Sequence, residues 1–281
     1  MSRENIIERF VKFFVNYADG EGNKVYMRAL TDILTVSGER VLPIDYSHLL
    51  SFDPELAEQL LNDPEEVLSA VDDAVATVLR NYLFLEELPK IEVGVFDLPR
   101  VKLPRHVDSS DVLRLVSVEG IVTRVSEIKP FVERAVFTCK DCGREMVRIQ
   151  FPHEDLSTPG KCDACGSRDI FLNVKKSQLT NYQILRIQDP PETVNSGAPR
   201  YVDCIATGPL VERVSPGDRV RVTGILQVIL EQNGKKPTFK KILELVHIEK
   251  LTKNWDEVEV SEDDIRRFEA EVQRPDFEKR F

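Results

Sequence analysis

Residues 139–165 read CKDCGREMVRIQFPHEDLSTPGKCDAC and hold two Cys-x-x-Cys pairs. Each pair places two thiols on one tight turn, and two such turns supply the four sulfur ligands of a tetrahedral Zn²⁺ site. Gly143 and Gly166 follow the second cysteine of each pair, where the backbone has to turn sharply. The predicted zinc ligands are Cys139, Cys142, Cys162 and Cys165. A redox dithiol and a pair of disulfides are the alternative interpretations of these cysteines.

The predicted zinc is structural. Four thiolates complete a tetrahedral shell and leave no open position for a substrate, so a catalytic metal is not expected. His153, which lies between the two pairs, is therefore expected at the surface rather than on the metal. The segment has too little apolar sequence to fold alone, and the metal would supply much of its stability. The fifth cysteine, Cys204, is expected to be buried, and no disulfide framework is predicted.

The sequence around this segment alternates between apolar and polar residues, which predicts β-strands. The alternation covers residues 115–125, 182–189, 201–211, 218–230 and 239–251. Five strands with a long excursion after the first predict a small Greek-key barrel of the OB type, and the excursion predicts a zinc ribbon inserted into that barrel.

The first section of the chain predicts a helical bundle. Apolar side chains recur at three- and four-residue steps from Ile6 to Tyr17, and Asp53 and Asp63 each precede a proline, as at the start of a helix. The predicted fold class is therefore α+β with several domains. The predicted boundaries are 1–95 for the helical subdomain, 96–135 and 177–252 for the two parts of the barrel, 136–176 for the zinc module, and 253–281 for a linker.

The formal net charge of −10 is unevenly distributed along the chain. Residues 1–95 hold 8 Lys and Arg against 18 Asp and Glu, residues 96–250 hold 24 against 20, and residues 251–281 hold 6 against 10. Only the middle section is basic, so a polyanion is expected to bind there. No apolar run approaches the roughly 20 residues that span a bilayer, and the first residues lack the apolar core of a signal peptide, which predicts a cytoplasmic protein without a membrane partner.

Cationic side chains on the barrel strands are candidates for binding a nucleic acid, because OB barrels hold phosphates with cations and stack bases on aromatic rings. The candidate arginines are Arg124, Arg186 and Arg200. The candidate aromatic partners are Phe131, Tyr182 and Tyr201. Ordinary surface ion pairs are the alternative interpretation of the arginines.

A basic hairpin around Asn233 and Gly234 is a second candidate contact. Its candidate lysines are Lys235 and Lys236 at the tip and Lys240 and Lys241 on the returning strand. Such a hairpin can reach phosphates without reading bases, although lysines also protect edge strands from aggregation. The loop at residues 188–199 is rich in Pro, Gly, Asn and Ser, and its composition fits either a functional loop or a disordered one.

The residues predict no catalytic site. The sequence contains no G-x-x-x-x-G-K-[ST] element for ATP and no nucleophile paired with a base. The two matched cysteine pairs argue against a thiol enzyme. From its residues alone, the chain is predicted to be a binding module.

Four segments, in this order, resemble the N-terminal region of archaeal minichromosome maintenance (MCM) helicases. They are LVSVEGIVTRVSEIKPFVERAVFTCKDCG from residue 115, LRIQDPPE from residue 185, SPGDRVRVTGIL from residue 215 and KKILELVHIEKL from residue 240. The resemblance extends over essentially all of residues 1–281. It implies a helical subdomain, an OB fold and a zinc module inserted in that fold.

The same resemblance implies a hexameric ring that encircles DNA, with zinc modules supporting head-to-head contacts between two rings. It implies that Arg124, Arg186 and Arg200 line the channel and hold single-stranded DNA. The lysines at 235 and 236 would lie at an inward-pointing hairpin tip, and the loop at 188–199 would communicate with a motor domain.

ATP and Mg²⁺ would be bound only by that motor domain, which this sequence lacks, so the chain looks like a helicase fragment cut within a linker. The chain also departs from the family at the hairpin, because the family's basic tip residues fall slightly earlier, where this chain has Gln232 and Asn233.

The leading hypothesis is a ring-forming, DNA-binding region of a replicative helicase, associated with the nucleoid in an archaeal cytoplasm. The alternative is a zinc-ribbon OB adapter that binds RNA in transcription or translation. RNA readers usually present more aromatic stacking than this chain offers, which disfavours the alternative.

Overall fold

The computed structural model describes residues 2–37, 40–193, 198–230 and 238–251. The predicted linker at 253–281 and the hairpin-tip lysines Lys235 and Lys236 lie outside the described residues.

Five α-helices occupy the first part of the chain: α1 (Arg3–Asn16), α2 (Val25–Asp32), α3 (Tyr46–Phe52), α4 (Pro54–Asn62) and α5 (Pro64–Asn81), with a short π-helix (Ile33–Ser37) after α2. Asp53 caps α4 as predicted, because its side chain accepts a hydrogen bond from the Leu56 N–H at 3.2 Å. Asp63 occupies the same position before α5 but makes no side-chain capping bond to that helix, all of which the structure describes. The sequence predicts α1, α4 and α5 but not α2 and α3, whose 8 and 7 residues are too few to show a helical period.

The helices share one apolar core. Phe10 and Phe13 of α1 and Val71 of α5 belong to it, and each is fully buried. Complete burial of a side chain of this size stabilises the fold by about 1.5–3 kcal/mol. Leu115 and Ile225, which lie on barrel strands, belong to the same core, so the helices are docked directly on the barrel.

A two-stranded parallel sheet accompanies the helices. Strand β1 (Val41–Asp45) pairs with strand β2 (Glu92–Phe96), although the sequence predicts only helices before residue 88. Pro43 in the middle of β1 conceals the strand, because proline normally argues against a paired strand. The predicted boundary between residues 95 and 96 falls inside β2, and the domain boundaries as a whole stay predictions.

The rest of the described chain is mostly β-structure. Its strands are β3 (Val101–Lys102), β4 (Leu115–Val125), β5 (Lys129–Cys139), β6 (Glu145–Ile149), β7 (Ile170–Leu172), β8 (Gln178–Gln188), β9 (Tyr201–Thr207), β10 (Arg219–Leu230) and β11 (Phe239–Lys250). Short 3₁₀-helices cover Pro104–His106, Ser109–Asp111, Pro191–Thr193 and Gly208–Leu210.

Five of these strands close into a barrel in the order β4-β10-β11-β9-β8-β4. The pairing of β9 with β11 is parallel and the other pairings are antiparallel. This is the OB arrangement that the sequence predicts, formed by the five predicted strands. Val118, Val122, Leu185, Val222 and Leu243 are buried in its interior.

Strand β5 leads from the barrel to the cysteines. It pairs with the first half of β8, beyond the part of β8 that pairs with β4. Its far end then pairs with β6 and with β7, around a small core that contains Ala135, Phe137 and Met146. The interpretation of this segment as a zinc ribbon stays a prediction.

His153 does not lie at the surface as expected. Its side chain is only 11% exposed, and its Nδ1 lies 3.0 Å from a carboxylate oxygen of Glu244 on β11. The loop after β6 is therefore attached to the barrel. The hydrogen bond with Glu244 raises the pKa of His153 above 6.5, burial acts in the opposite direction, and Glu154 and Glu65 raise the pKa further.

The contact between His153 and Glu244 is expected to make stability depend on pH. Because the folded-state pKa of His153 is raised, its contribution is complete below about pH 6.5 and is lost as pH rises through the raised value. We expect His153→Gln to lower the unfolding free energy most at the acidic end of this range, measured by urea unfolding at several pH values. His106→Gln is the matched control, because His106 is exposed and pairs with no carboxylate in the described chain. Parallel pH profiles for both variants would contradict the prediction.

Candidate metal centre and nucleic-acid interface

The four predicted zinc ligands come together at the end of β5. Their sulfur atoms all lie within 4.8 Å of one another, and the Sγ atoms of Cys139 and Cys165, like those of Cys142 and Cys162, are 3.6 Å apart. Four sulfurs at about 2.3 Å from a Zn²⁺ ion would lie about 3.8 Å from one another. The cluster is therefore close enough to hold one tetrahedral metal ion, and an all-sulfur donor set suits zinc rather than magnesium or calcium.

Each cysteine pair lies on a turn that only glycine accommodates without strain. Gly143 and Gly166 have φ values of 72° and 74°, in the left-handed region. Their N–H groups donate to the carbonyl oxygens of Cys139 and Cys162, each at 3.0 Å. The two turns therefore repeat the same geometry, which explains why one spacing motif occurs twice in the sequence.

Backbone amides also favour the thiolate of one ligand. The N–H groups of Cys165 and then Ala164 lower the pKa of Cys162 to about 7. The Ser167 amide favours the Cys165 thiolate as well, but hydrogen bonds within the cluster, that of Cys142 first, raise the pKa of Cys165 to about 12. Because Zn²⁺ binds thiolates, metal binding at this cluster would release protons.

Arg124 reaches the outer face of the barrel because of a β-bulge. Val118 and Val122 of β4 point into the core, and strict alternation would point residue 124 inward as well. The pairing of β4 with β8 shifts register between Val122 and Arg124. Thr123 and Arg124 are then both exposed, while Val125 packs against the core. The side chain of Arg124 forms no ion pair or hydrogen bond with any residue that the structure describes.

Arg186 lies directly across from Arg124, on β8. Its Nε and Nη2 atoms lie 2.8 and 3.2 Å from the two carboxylate oxygens of Asp203, and its guanidinium carbon is 3.9 Å from the centre of the Tyr201 ring. Lys240 on β11 also binds Asp203, at 2.7 Å. Burial would raise the pKa of Asp203, but Arg186 and Lys240 together lower it, so the carboxylate is charged.

The predicted DNA-binding residues within the described chain form one continuous surface on the barrel. Arg124, Arg186 and Lys240 line a cavity of about 180 Å³, which we call the first cavity. Arg200 and Lys241 line a larger one of about 480 Å³, the second cavity. A third cavity shares Lys240 with the first and Lys241 with the second, and so connects them.

Two of the predicted aromatic residues do not join this surface. Phe131 and Tyr182 pack against each other with ring centroids 6.1 Å apart, and neither lines these three cavities.

Sequence reasoning missed three residues that do contribute, namely Arg105, Asp189 and Asp203. The sequence offers one indication for Asp203, because an acidic residue in an otherwise apolar strand needs a polar partner.

Comparison with known sequences identifies the family. Residues 7–111 match the MCM N-terminal domain, and residues 102–230 match the MCM OB domain. The chain belongs to the MCM family. The resemblance drawn from the motifs is thereby confirmed, together with the OB fold.

Individual MCM proteins align with nearly the whole chain. The minichromosome maintenance protein MCM of Saccharolobus solfataricus is 27% identical over 95% of this chain. The DNA replication licensing factors mcm2 of Schizosaccharomyces pombe and mcm4 of Xenopus tropicalis are each 30% identical, over 99% and 86% of it. The MCM chain spans 40% of the length of the Saccharolobus protein, 35% of mcm2 and 30% of mcm4. Among its described helices, none is long and apolar enough to cross a membrane.

Loss of metal is expected to loosen the cysteine segment of this MCM chain before its barrel. Chelation, or Cys139→Ser, would leave β6 and β7 attached mainly through the small core around Phe137. Hydrogen exchange should show early loss of protection in β6 and β7 while β10 stays protected. Cys204→Ser is the matched control, since Cys204 is buried in the barrel core; it should destabilise the barrel and leave the metal content unchanged. Simultaneous loss in β6, β7 and β10 after chelation would contradict the prediction.

Proposed function

We propose that this MCM chain is a ring-forming, DNA-binding region of a replicative helicase that holds single-stranded DNA on the surface of its OB barrel. In this proposal the chain consists of a helical bundle, the barrel and a zinc ribbon that holds structural zinc. ATP and Mg²⁺ belong to the motor domain of the whole protein. The names of the relatives, which include DNA replication licensing factors, support a role in replication.

The observation that carries the DNA-binding part is the pair of arginines that face each other on β4 and β8. Like charges directly opposite on neighbouring strands destabilise a sheet. Arg186 is compensated by Asp203, but Arg124 is exposed and has no partner in the described chain. A site that binds a polyanion accounts for this arrangement, since a phosphate between the two guanidinium groups would accept hydrogen bonds from both and offset their repulsion.

The charge of the first cavity also fits this role. Its lining contains three cations and one carboxylate, so it carries a net positive charge, although the whole chain has a formal net charge of −10. The acidic residues are concentrated in the helical section, which would keep phosphates away from it. A nucleic-acid strand would therefore be directed to the barrel.

Ring formation is proposed from family membership. MCM relatives act as multimers, and we propose that this chain forms rings and head-to-head double rings that encircle DNA, with the cysteine segments supporting contacts between the rings. The corresponding location is the nucleoid in an archaeal cytoplasm. The alternative of an RNA adapter is not favoured, because the MCM domain matches together extend over residues 7–230.

Arg124→Ala is the most direct test of DNA binding. We expect the variant to bind single-stranded oligothymidylate about tenfold more weakly, as for the loss of one charge-assisted hydrogen bond. The slope of log K against log salt concentration should fall by about 0.7, because one phosphate contact is lost. Fluorescence anisotropy at several salt concentrations measures both quantities. Arg124 is a cleaner probe than Arg186, whose removal would leave the buried Asp203 carboxylate with Lys240 alone.

Arg80→Ala is the matched control, because Arg80 is exposed on α5 and has no ion pair in the described chain. It removes the same charge from a different surface and should leave affinity and slope nearly unchanged. Equal effects of the two variants would mean that the arginines contribute only general charge, and the site assignment would then be wrong.

Assembly has its own test. We expect light scattering to give the mass of a ring or double ring when zinc is present, and chelation or Cys139→Ser to shift double rings toward single rings. A monomer in every condition, with and without DNA, would contradict the ring-forming part of the proposal and leave DNA binding to be judged separately.

A further inference from the structure

The second cavity is more basic than its predicted residues suggest. Its described lining includes Arg105, Arg200 and Lys241, together with the Tyr201 ring, and contains no carboxylate residue. Its volume of about 480 Å³ is more than twice that of the first cavity, enough for a phosphate and the base attached to it. Three cations that converge without an acidic neighbour on the surface create an anion site.

A buried carboxylate beneath this cavity binds the backbone of two of the three cationic residues and pairs with the guanidinium group of one of them. The side chain of Asp189 is completely inaccessible to solvent. It accepts hydrogen bonds from the backbone N–H groups of Arg105 at 3.1 Å and Arg200 at 2.8 Å, and it lies 3.2 Å from the Arg105 Nε. Asp189 therefore joins the 3₁₀-helix at residues 104–106 to the strand that begins at Tyr201, although these segments are far apart in sequence.

The remaining charges stay available to a ligand. The Arg200 guanidinium makes no ion pair or hydrogen bond within the described ranges, and its side chain is exposed. Lys241 donates to the carbonyl oxygen of Val107 at 2.5 Å, which holds its ammonium group at the cavity without neutralising it. The second cavity thus resembles the first in its three cations, although the carboxylate of the first, Asp203, belongs to the lining and that of the second, Asp189, lies beneath it.

Tyr201 lies between the two cavities. One face of its ring is covered by the Arg186 guanidinium of the first cavity, at 3.9 Å, and the ring also lines the second cavity. The residue is 54% exposed, whereas the interior residues of the strand that it begins are buried. An aromatic ring between two anion sites is the arrangement expected for phosphate, base and phosphate along a single strand.

We propose that the second cavity binds the next phosphate of the same DNA strand, with Arg105 as an additional contact, Tyr201 as a platform for the intervening base and Asp189 as the positioning residue. This inference rests on the proposed function, because it extends the strand held by Arg124 and Arg186. The two cavities are neighbours on the barrel, because a third cavity connects them through Lys240 and Lys241.

Arg105→Ala tests the additional contact. We expect affinity for single-stranded oligothymidylate to fall about tenfold and the salt slope to fall by about 0.7. Arg100→Ala is the matched control, because Arg100 is exposed, lies outside this cavity and is unpaired within the described residues. Tyr201→Ala should weaken binding by roughly 5- to 100-fold while Tyr201→Phe keeps most of the affinity, as for stacking.

Asp189→Asn tests positioning, because charge and geometry predict opposite results. Removing a negative charge should strengthen DNA binding if only electrostatics matter. An Asn side chain has one acceptor oxygen instead of two, so it cannot accept from the backbone N–H groups of both Arg105 and Arg200, and it loses the ion pair with Arg105. We therefore expect binding to weaken although the net charge becomes more positive. If Arg124→Ala weakens binding by the same factor in the Asp189→Asn background as in the unaltered chain, the first cavity is intact and the barrel is still folded.

The outcomes separate the two proposals. If Arg124→Ala weakens binding but Arg105→Ala behaves like Arg100→Ala, the second phosphate site is wrong and the proposed function stands. Tighter binding by Asp189→Asn would overturn the positioning role. If the unaltered chain fails to bind single-stranded DNA, the proposed function itself is wrong.

Discussion

The hydrogen bonds of strand β8 are the constraint on which the rest of the structure depends. β8 pairs with β9 along one edge, and along the other it pairs first with β5 and then with β4. Closure against β4 requires Gly120, because a Cβ at this position would lie 2.5 Å from the carbonyl oxygen of Gln188. Any side chain there would push β4 away from β8. Both the barrel surface and β5, which leads to the cysteines, would then be displaced, because β4 and β5 both pair with β8.

The same pairing determines where the cations lie. The bulge in β4 turns Arg124 outward, opposite Arg186, and the end of β8 leads directly to Asp189. The carboxylates that organise the two cavities, Asp189 and Asp203, therefore lie on or next to neighbouring strands. A change in the register of β8 by one residue would exchange the inner and outer faces and remove both cavities at once.

The parts that could be predicted from the sequence are those that local patterns specify. Two matched Cys-x-x-Cys turns predict the sulfur cluster, and alternation predicts the five barrel strands. The patterns do not reveal β1, whose Pro43 argues against a strand, or the contact of His153 with Glu244, which joins residues distant in sequence. The charge of Arg124 predicts a surface position, whereas alternation alone would place it inside. Alternation fails here because a bulge depends on strand pairing rather than on local composition.

The buried aspartates explain how an acidic chain can present a basic surface of fixed shape. A carboxylate beneath an arginine reduces the net positive charge, which by itself would weaken attraction to phosphate. It also holds the guanidinium group in one orientation, so less side-chain entropy is lost when a ligand binds. Each cavity combines a held arginine, Arg186 or Arg105, with an exposed one that has no partner in the described chain, Arg124 or Arg200. In the proposed function, the exposed arginine would attract the strand, and the held arginine would fix where the phosphate comes to rest.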